Sequence, residues 1–210
     1  MTHFAPQKGE LETDQGTISV ASFYTPENIA ALSFRNAFQM HPHYNPIISS
    51  KESLMRIAAE QDTNVTLATT AEDAIVGFGI LQYPEPGERW LRVGDRVMME
   101  LSVVEVSCDW RGGGLAGKIL EYALNHPLKE DKILYMVGYS WTWDISGSGL
   151  AIMEYRDMMI GLFEKFGFTL RQTNEPNIMM RPENMFMVRI GANVTAAVGK
   201  RLKQVQFNLD

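Results

Sequence analysis

The chain has 210 residues, 45% of them hydrophobic, which is enough for one domain with a full core and short for two. Its net charge of −6 lacks the basic footprint of a nucleic-acid binder, and its one cysteine, Cys108, excludes a disulfide framework and a cysteine metal site. No run reaches the ~18 apolar residues of a membrane span, and the N-terminus (MTHFAPQKGELETDQG) has no signal-peptide pattern, so the expected address is the cytoplasm.

Residues 1–15 are polar and are expected to be loosely ordered. Residues 17–23 alternate apolar and polar and predict a first strand. Thr25-Pro26-Glu27 is a helix start, with Thr25 as cap and Pro26 at the first helical position, and Ile29, Leu32, Phe34 and Phe38 continue that helix. The run His41-Pro42-His43-Tyr44-Asn45-Pro46 breaks it. Its two histidines have no carboxylate or cysteine nearby and read as a loop, not a metal site. Ser49 or Ser50 caps a second helix with Leu54, Ile57 and Ala58 inward. Residues 65–69 and 74–83 are strands of a hairpin around Glu72-Asp73, and residues 84–95 form a long loop.

Residues 98–124 read MMELSVVEVSCDWRGGGLAGKILEYAL. An apolar run (Leu101, Val103, Val104, Val106) stops at Asp109-Trp110-Arg111, three glycines follow, and Leu115, Ile119 and Ala123 then share one helical face. A strand, a glycine turn and a helix start present free backbone N–H groups and a positive dipole end to a phosphate. Glycines let the ligand approach the backbone. A Walker A loop is excluded because Ile119 follows Gly117-Lys118 where a hydroxyl is needed. A dinucleotide fingerprint on Gly112, Gly114 and Gly117 lacks its acidic residue at the end of the next strand.

Residues 134–137 predict a buried strand. The segment Trp141-Thr142-Trp143-Asp144 leads to a helix over 150–165, with Ile152, Tyr155, Met159, Leu162 and Phe166 on one face. Two late strands, 169–171 and 185–190, flank a 176–182 loop, and residues 193–204 form a terminal helix. Several of the thirteen methionines cluster between 153 and 187 and read as flexible core filler, the alternative being an adaptable protein-binding surface.

Arg111-Gly112-Gly113-Gly114-Leu115-Ala116 fits the pattern R-x-x-G-x-G/A, with Val106 five residues before the arginine. Downstream, Leu162-Phe163-Glu164-Lys165-Phe166-Gly167-Phe168 is similar to the signature "LYEKLGF". In this order the two resemble the acyl-CoA loop and the second signature of the GNAT family of N-acetyltransferases. The resemblance implies one domain over 1–210. Its fold class is α/β, more fully an α+β mixed sheet, in the order β-α-α-β-β-β-α-β-α-β-β. The central sheet is splayed by a bulge near 104–106. Acetyl-CoA is then the co-substrate. Its pyrophosphate meets the N–H groups of Gly112, Gly113, Gly114, Leu115, Ala116 and Gly117, with charge from Arg111 and Lys118. Arg111 has a second reading, as the residue that fixes the turn. Val104 and Val106 border the pantetheine arm, and the N–H near Val104 is the oxyanion donor.

Acetyl transfer to an amine needs a base, because a free lysine of pKa about 10.4 is only ~4 parts in 10,000 neutral at pH 7. Glu100 lies eleven residues before Arg111, a spacing that resembles that of the base glutamate in the histone-acetylating branch of the family. Glu105 is the second candidate, and a solvated strand-edge glutamate is the bland reading of Glu100. The signature tyrosine, the usual acid, is replaced by Phe163. Tyr155, Tyr139 or water then protonates the thiolate, or no acid is needed. Cys108 has no histidine placed to activate it, which argues against a covalent intermediate.

Glu88-Arg89-Trp90, Trp141-Thr142-Trp143-Asp144, Glu154-Tyr155-Arg156-Asp157-Met158-Met159 and Met187-Val188-Arg189-Ile190-Gly191 resemble the acetoin-utilisation branch of the family. This implies a protein lysine acetyltransferase that acetylates and inactivates acetyl-CoA synthetase, with no nucleic-acid, membrane or metal partner. A small-molecule amine acetyltransferase and a non-catalytic CoA-binding regulator are the alternatives. Trp141, Trp143 and Asp144 either line the acceptor channel, Asp144 holding the lysine ammonium, or fill the core beneath the long helix.

Overall fold

The computed structural model describes residues 4–34, 38, 46–145 and 147–209. Their contacts gather into two compact units, Met1–Gln82 with Ser102–His126, and Tyr83–Leu101 with Pro127–Asp210.

The first unit opens with strands β1 (Lys8–Thr13) and β2 (Gly16–Ala21). They pair antiparallel from Lys8↔Ala21 to Thr13↔Gly16, so residues 8–13 are ordered rather than loosely held. The charged outer row of β1, Lys8, Glu10 and Glu12, hides its alternation in the sequence and protects an edge strand from wrong pairing. Helix α1 (Pro26–Ala30) starts as predicted, the Thr25 hydroxyl accepting the Asn28 N–H, but it ends after five residues. Ser33–Phe34 then forms β3, parallel to a later strand. The apolar residues assigned to a longer helix still reach the core. Phe34 and Phe38 stack at 5.3 Å, and Phe38 lies 5.2 Å from Phe78. The His41-His43 run lies outside the described residues, Pro46 excepted.

Helix α2 (Lys51–Ala58) is capped by Ser50, and strands β4 (Asn64–Thr69) and β5 (Ala74–Gln82) make the expected hairpin. Strand β6 (Met98–Val106) gives its second half to this unit, followed by helix α3 (Leu115–Leu124). The strand order is β1-β2-β4-β5-β6, with β3 beside β5. Ile119 and Ala123 of α3 lie against Gly77 and Gly79 of β5. A Cβ on Gly79 would stand 2.7 Å from Ile119 Cγ2 and 3.3 Å from Ala123 Cβ. Two glycines in one strand therefore let the helix seat on the sheet.

The second unit takes the first half of β6, then β7 (Ile133–Gly138), α4 (Ile152–Glu164), β8 (Thr169–Arg171), α5 (Pro176–Met179), β9 (Met185–Ile190) and α6 (Ala196–Gln206). The order is β6-β7-β9-β8, with β6 and β7 parallel and the other pairs antiparallel. Trp90 stacks on Phe186 at 4.2 Å, and Tyr135, Leu202 and Val205 complete that core. The predicted inward face of α4 is not buried. Phe163 is its one buried residue, packed against Phe168 at 5.8 Å, and Ile152 is 38% exposed. Met185 and Met187 fill core as expected, whereas Met153, Met158, Met179 and Met180 are exposed. The terminal helix begins at Ala196, behind a Thr195 cap, rather than at 193.

The described β6–β7 pairing ends at Glu100↔Tyr135, while β7 stays paired with β9 to Gly138. Along β6 the inward–outward alternation breaks where Glu105 and Val106 are buried in succession. The one described register shift lies between Ala68 and Thr69. Among the described residues no helix is long and apolar enough to cross a membrane.

Gly79→Ala forces its methyl into the branched end of Ile119 and is expected to cost about 1–3 kcal/mol in urea unfolding. Unchanged stability would mean that α3 has room to move away.

Candidate active site

In the first unit, β6 runs into a short 3₁₀ turn (Cys108–Trp110) and then the glycine loop. Arg111 Nε donates to the Val106 carbonyl at 2.9 Å, so the arginine ties the loop back to the end of its strand. Gly112 (φ +87°) and Gly114 (φ +80°) hold left-handed conformations, and Gly114 caps α3. A Cβ on Gly112, Gly113 or Gly114 would meet nothing within 4 Å, so this backbone is open to a ligand. The Lys118 N–H bonds to the Gly114 carbonyl at 3.1 Å as the first intrahelical donor. Helix geometry leaves the N–H groups of Leu115, Ala116 and Gly117 without intrahelical acceptors. Leu115 anchors that turn in the core. Lys118 is less of a free charge than its sequence position suggests. Its Nζ lies 3.0 Å from Glu121, which raises its pKa first of all, and 5.1 Å from the Tyr122 ring. Val104 and Val106 pack into the core cluster that includes Leu115 and Ile119. Glu105 is buried and Cys108 half-buried in the same unit.

In the second unit, Glu100 stands on β6 as the partner of Tyr135. Removal from water raises its pKa from 4.5 to about 8, and the charges of Glu88 and Glu85 push in the same direction. Glu88 is fixed by two donors. The Tyr135 hydroxyl donates to its Oε2 at 3.0 Å, and the Glu85 N–H donates to its Oε1 at 2.9 Å. Burial holds Tyr135 far above its usual range and raises Tyr139 to about 12, so both phenols keep their protons at neutral pH. Glu100 is therefore a mostly neutral acid at pH 7, not a solvated edge carboxylate.

The two tryptophans part ways. Trp141 is 54% exposed, stacked on Tyr139 at 4.7 Å, with the Arg181 guanidinium 5.3 Å from its ring. Trp143 instead meets Tyr155 at 5.3 Å. Asp144 is buried and accepts the Gly147 N–H at 3.3 Å, which makes it the holder of a turn. A buried carboxylate occupied by backbone is poorly placed to hold a lysine ammonium. Phe163 is buried at the signature position and has no proton to give.

No protein-family model matches the chain. It is similar to acetoin utilization protein AcuA of Bacillus licheniformis, with 28% identity over 199 residues, 95% of this chain and 93% of that protein. AcuA of Bacillus subtilis is 27% identical over 205 residues, 98% of this chain and 96% of that protein. The crystal structure of an acetoin utilization protein from Exiguobacterium sibiricum matches with a TM-score of 0.86 at 26% identity, covering 99% of this chain and 98% of that one. The fold is that of the GNAT acetyltransferases.

Glu100 and the glycine loop are candidates from the sequence, whereas Glu85, Glu88 and Tyr135 around Glu100 emerge from the structure. Glu88 was visible only as part of a resemblance, in Glu88-Arg89-Trp90. Tyr135 was visible as the one phenol in the buried strand Ile133–Gly138. Neither signal says that the two meet.

A carboxyl whose pKa is higher folded than unfolded holds its proton in the native state between about pH 4.5 and 8. Its stabilising contribution is complete below about pH 4.5 and is lost as pH rises through about 8. The unfolding free energy of Glu100→Gln, relative to the parent and measured in urea, should therefore climb from pH 5 to 8 and level off above, by the order of a few kcal/mol. A difference independent of pH would contradict the burial of this charge.

Proposed function

We propose that the protein is an acetyl-CoA-dependent N-acetyltransferase acting on protein lysine, with Glu100 as general base and acetyl-CoA synthetase as acceptor. The observation that carries the reading is a single strand. β6 bears a carboxyl with raised pKa at its third residue and leads, through a short 3₁₀ turn, into an open glycine loop ahead of a helix N-terminus. The loop suits a pyrophosphate because its glycine backbone is uncovered and its N–H groups are aligned by α3. The kinship to acetoin utilization proteins supports an acceptor in acetate chemistry.

In the reaction the lysine ammonium gives one proton to Glu100, the freed amine nitrogen attacks the thioester carbonyl, the C–S bond breaks, and the second nitrogen proton goes to the departing CoA thiolate or to water. The pKa of the base decides how costly the proton transfer is. From a lysine ammonium of about 10.4 to an ordinary carboxylate near 4.5 the transfer is uphill by about 8 kcal/mol, whereas to a group near 8 it is uphill by about 3. The cost is that only about one Glu100 in ten is ionised at pH 7. A thiol with a pKa near 8.5 leaves readily as thiolate, so the loss of the signature tyrosine at Phe163 is tolerable. Tyr139 and Tyr155 remain the proton donors in reserve. The acidic set Glu85, Glu88 and Glu100 favours a cationic acceptor. Trp141, exposed beside Tyr139, is the aromatic surface offered to its alkyl stem.

Labelled acetyl-CoA incubated with the protein, a cell lysate, purified acetyl-CoA synthetase and, separately, polyamines should label acetyl-CoA synthetase on a lysine. Label confined to small amines would contradict the protein acceptor, and binding without transfer would contradict an enzyme. A second variant tests the loop. Gly113 has ordinary backbone angles and open space, so Gly113→Leu should melt within about 0.5 kcal/mol of the parent yet bind acetyl-CoA at least about tenfold more weakly by calorimetry. Undiminished binding would remove the loop from the pyrophosphate site.

A further inference from the structure

Glu88 takes no part in the transfer step, yet it is held beside the base from two sides. The Glu85 N–H donates to Oε1 at 2.9 Å and the Tyr135 hydroxyl donates to Oε2 at 3.0 Å. Tyr135 is also the Cα partner of Glu100 across β6 and β7, so one buried ring stands next to Glu100 while its hydroxyl grips Glu88. The tyrosine spaces two carboxyl groups that an open surface would let drift apart.

Resting on the reading of Glu100 as base, we propose that Glu88 is its positioning residue: a carboxyl group clamped beside Glu100 that opposes ionisation of the base until a cationic amine arrives. The groups that face Glu100 are Glu85 and Glu88 from the segment before β6 and Tyr135 and Tyr139 from β7, with Glu175 at the cap of α5 acting on Tyr139. None of these is cationic, so nothing in the set offsets a negative charge on Glu100. An entering ammonium does. Its arrival lets Glu100 release one proton to water. Glu100 then takes a proton from the ammonium, which frees the lone pair that attacks, and the second nitrogen proton goes to the CoA thiolate, so Glu100 ends protonated as it began and the cycle balances. An amine without charge gains nothing from this arrangement, so the pair selects lysine-like acceptors over neutral nucleophiles.

The test is the titration of the Glu100 carboxyl by carbon-detected NMR on glutamate-labelled protein, the resonance being the one lost in Glu100→Gln. The pH profile of kcat/KM is measured beside it. Glu88→Gln should lower the Glu100 midpoint by one pH unit or more and shift the kinetic profile by the same amount, and Glu88→Asp should restore both. Tyr135→Phe, which keeps the buried ring, should move the midpoint in the same direction and guards against a Glu88 variant that fails to fold. An unmoved midpoint in the folded variants overturns the inference. Full activity in Glu100→Gln overturns the reading of the base, and this inference with it. The NMR titration needs no turnover, so the two failures are told apart.

Discussion

A carboxyl group withdrawn from water and set beside a second carboxylate is the constraint on which this account depends. In that environment its pKa is raised to about 8, so the protonated form is favoured at neutral pH. The surroundings are built for it. Tyr135 is buried with its hydroxyl given to Glu88, and the aromatic core of Trp90, Tyr135 and Phe186 closes that side to solvent. A group so placed destabilises the fold as it ionises, and such a cost is the usual mark of a functional residue. The same burial that makes the carboxyl expensive brings its pKa closer to that of an amine.

The glycine loop answers a different demand. Its two obvious cations have local partners, Arg111 on the Val106 carbonyl and Lys118 beside Glu121. What remains for an anionic ligand is mainly backbone, the open glycines and the first N–H groups of α3. Backbone donors of this kind hold a pyrophosphate whatever the acceptor is. On the proposed reading the loop speaks of the donor substrate only, and the acceptor is read from the acidic set around Glu100 and from Trp141.

Much of this was legible in the residues. The glycine pattern, the Thr25 and Ser50 caps, the hairpin around Asp73 and the β6–α3 unit all follow from local chemistry, because turn glycines and caps act over a few residues. The errors came where the deciding contact is distant. Strand β1 exists because β2 is there to pair with. The apolar residues after α1 serve the Phe34, Phe38 and Phe78 cluster instead of a helix face. The apolar stripe on α4 implied a buried face, but only Phe163 near its end finds a neighbour deep enough. At the candidate site, Glu100 stands out in the sequence by its spacing from Arg111, as an expectation. The clamp formed by Glu88 and Tyr135 joins residues 47 apart, and no local pattern announces it.

The central claim is that Glu100 is the base and works with a raised pKa. The pH dependence of kcat/KM for acetyl transfer to a lysine acceptor tests it most directly, with acetyl-CoA at fixed saturation. The account predicts a rise of tenfold per pH unit that bends over near pH 8. It also predicts a loss of about 10²–10⁴-fold in Glu100→Gln, together with loss of that bend. A profile that bends near pH 4–5, or a Glu100→Gln protein with the parent's rate and profile, would contradict it.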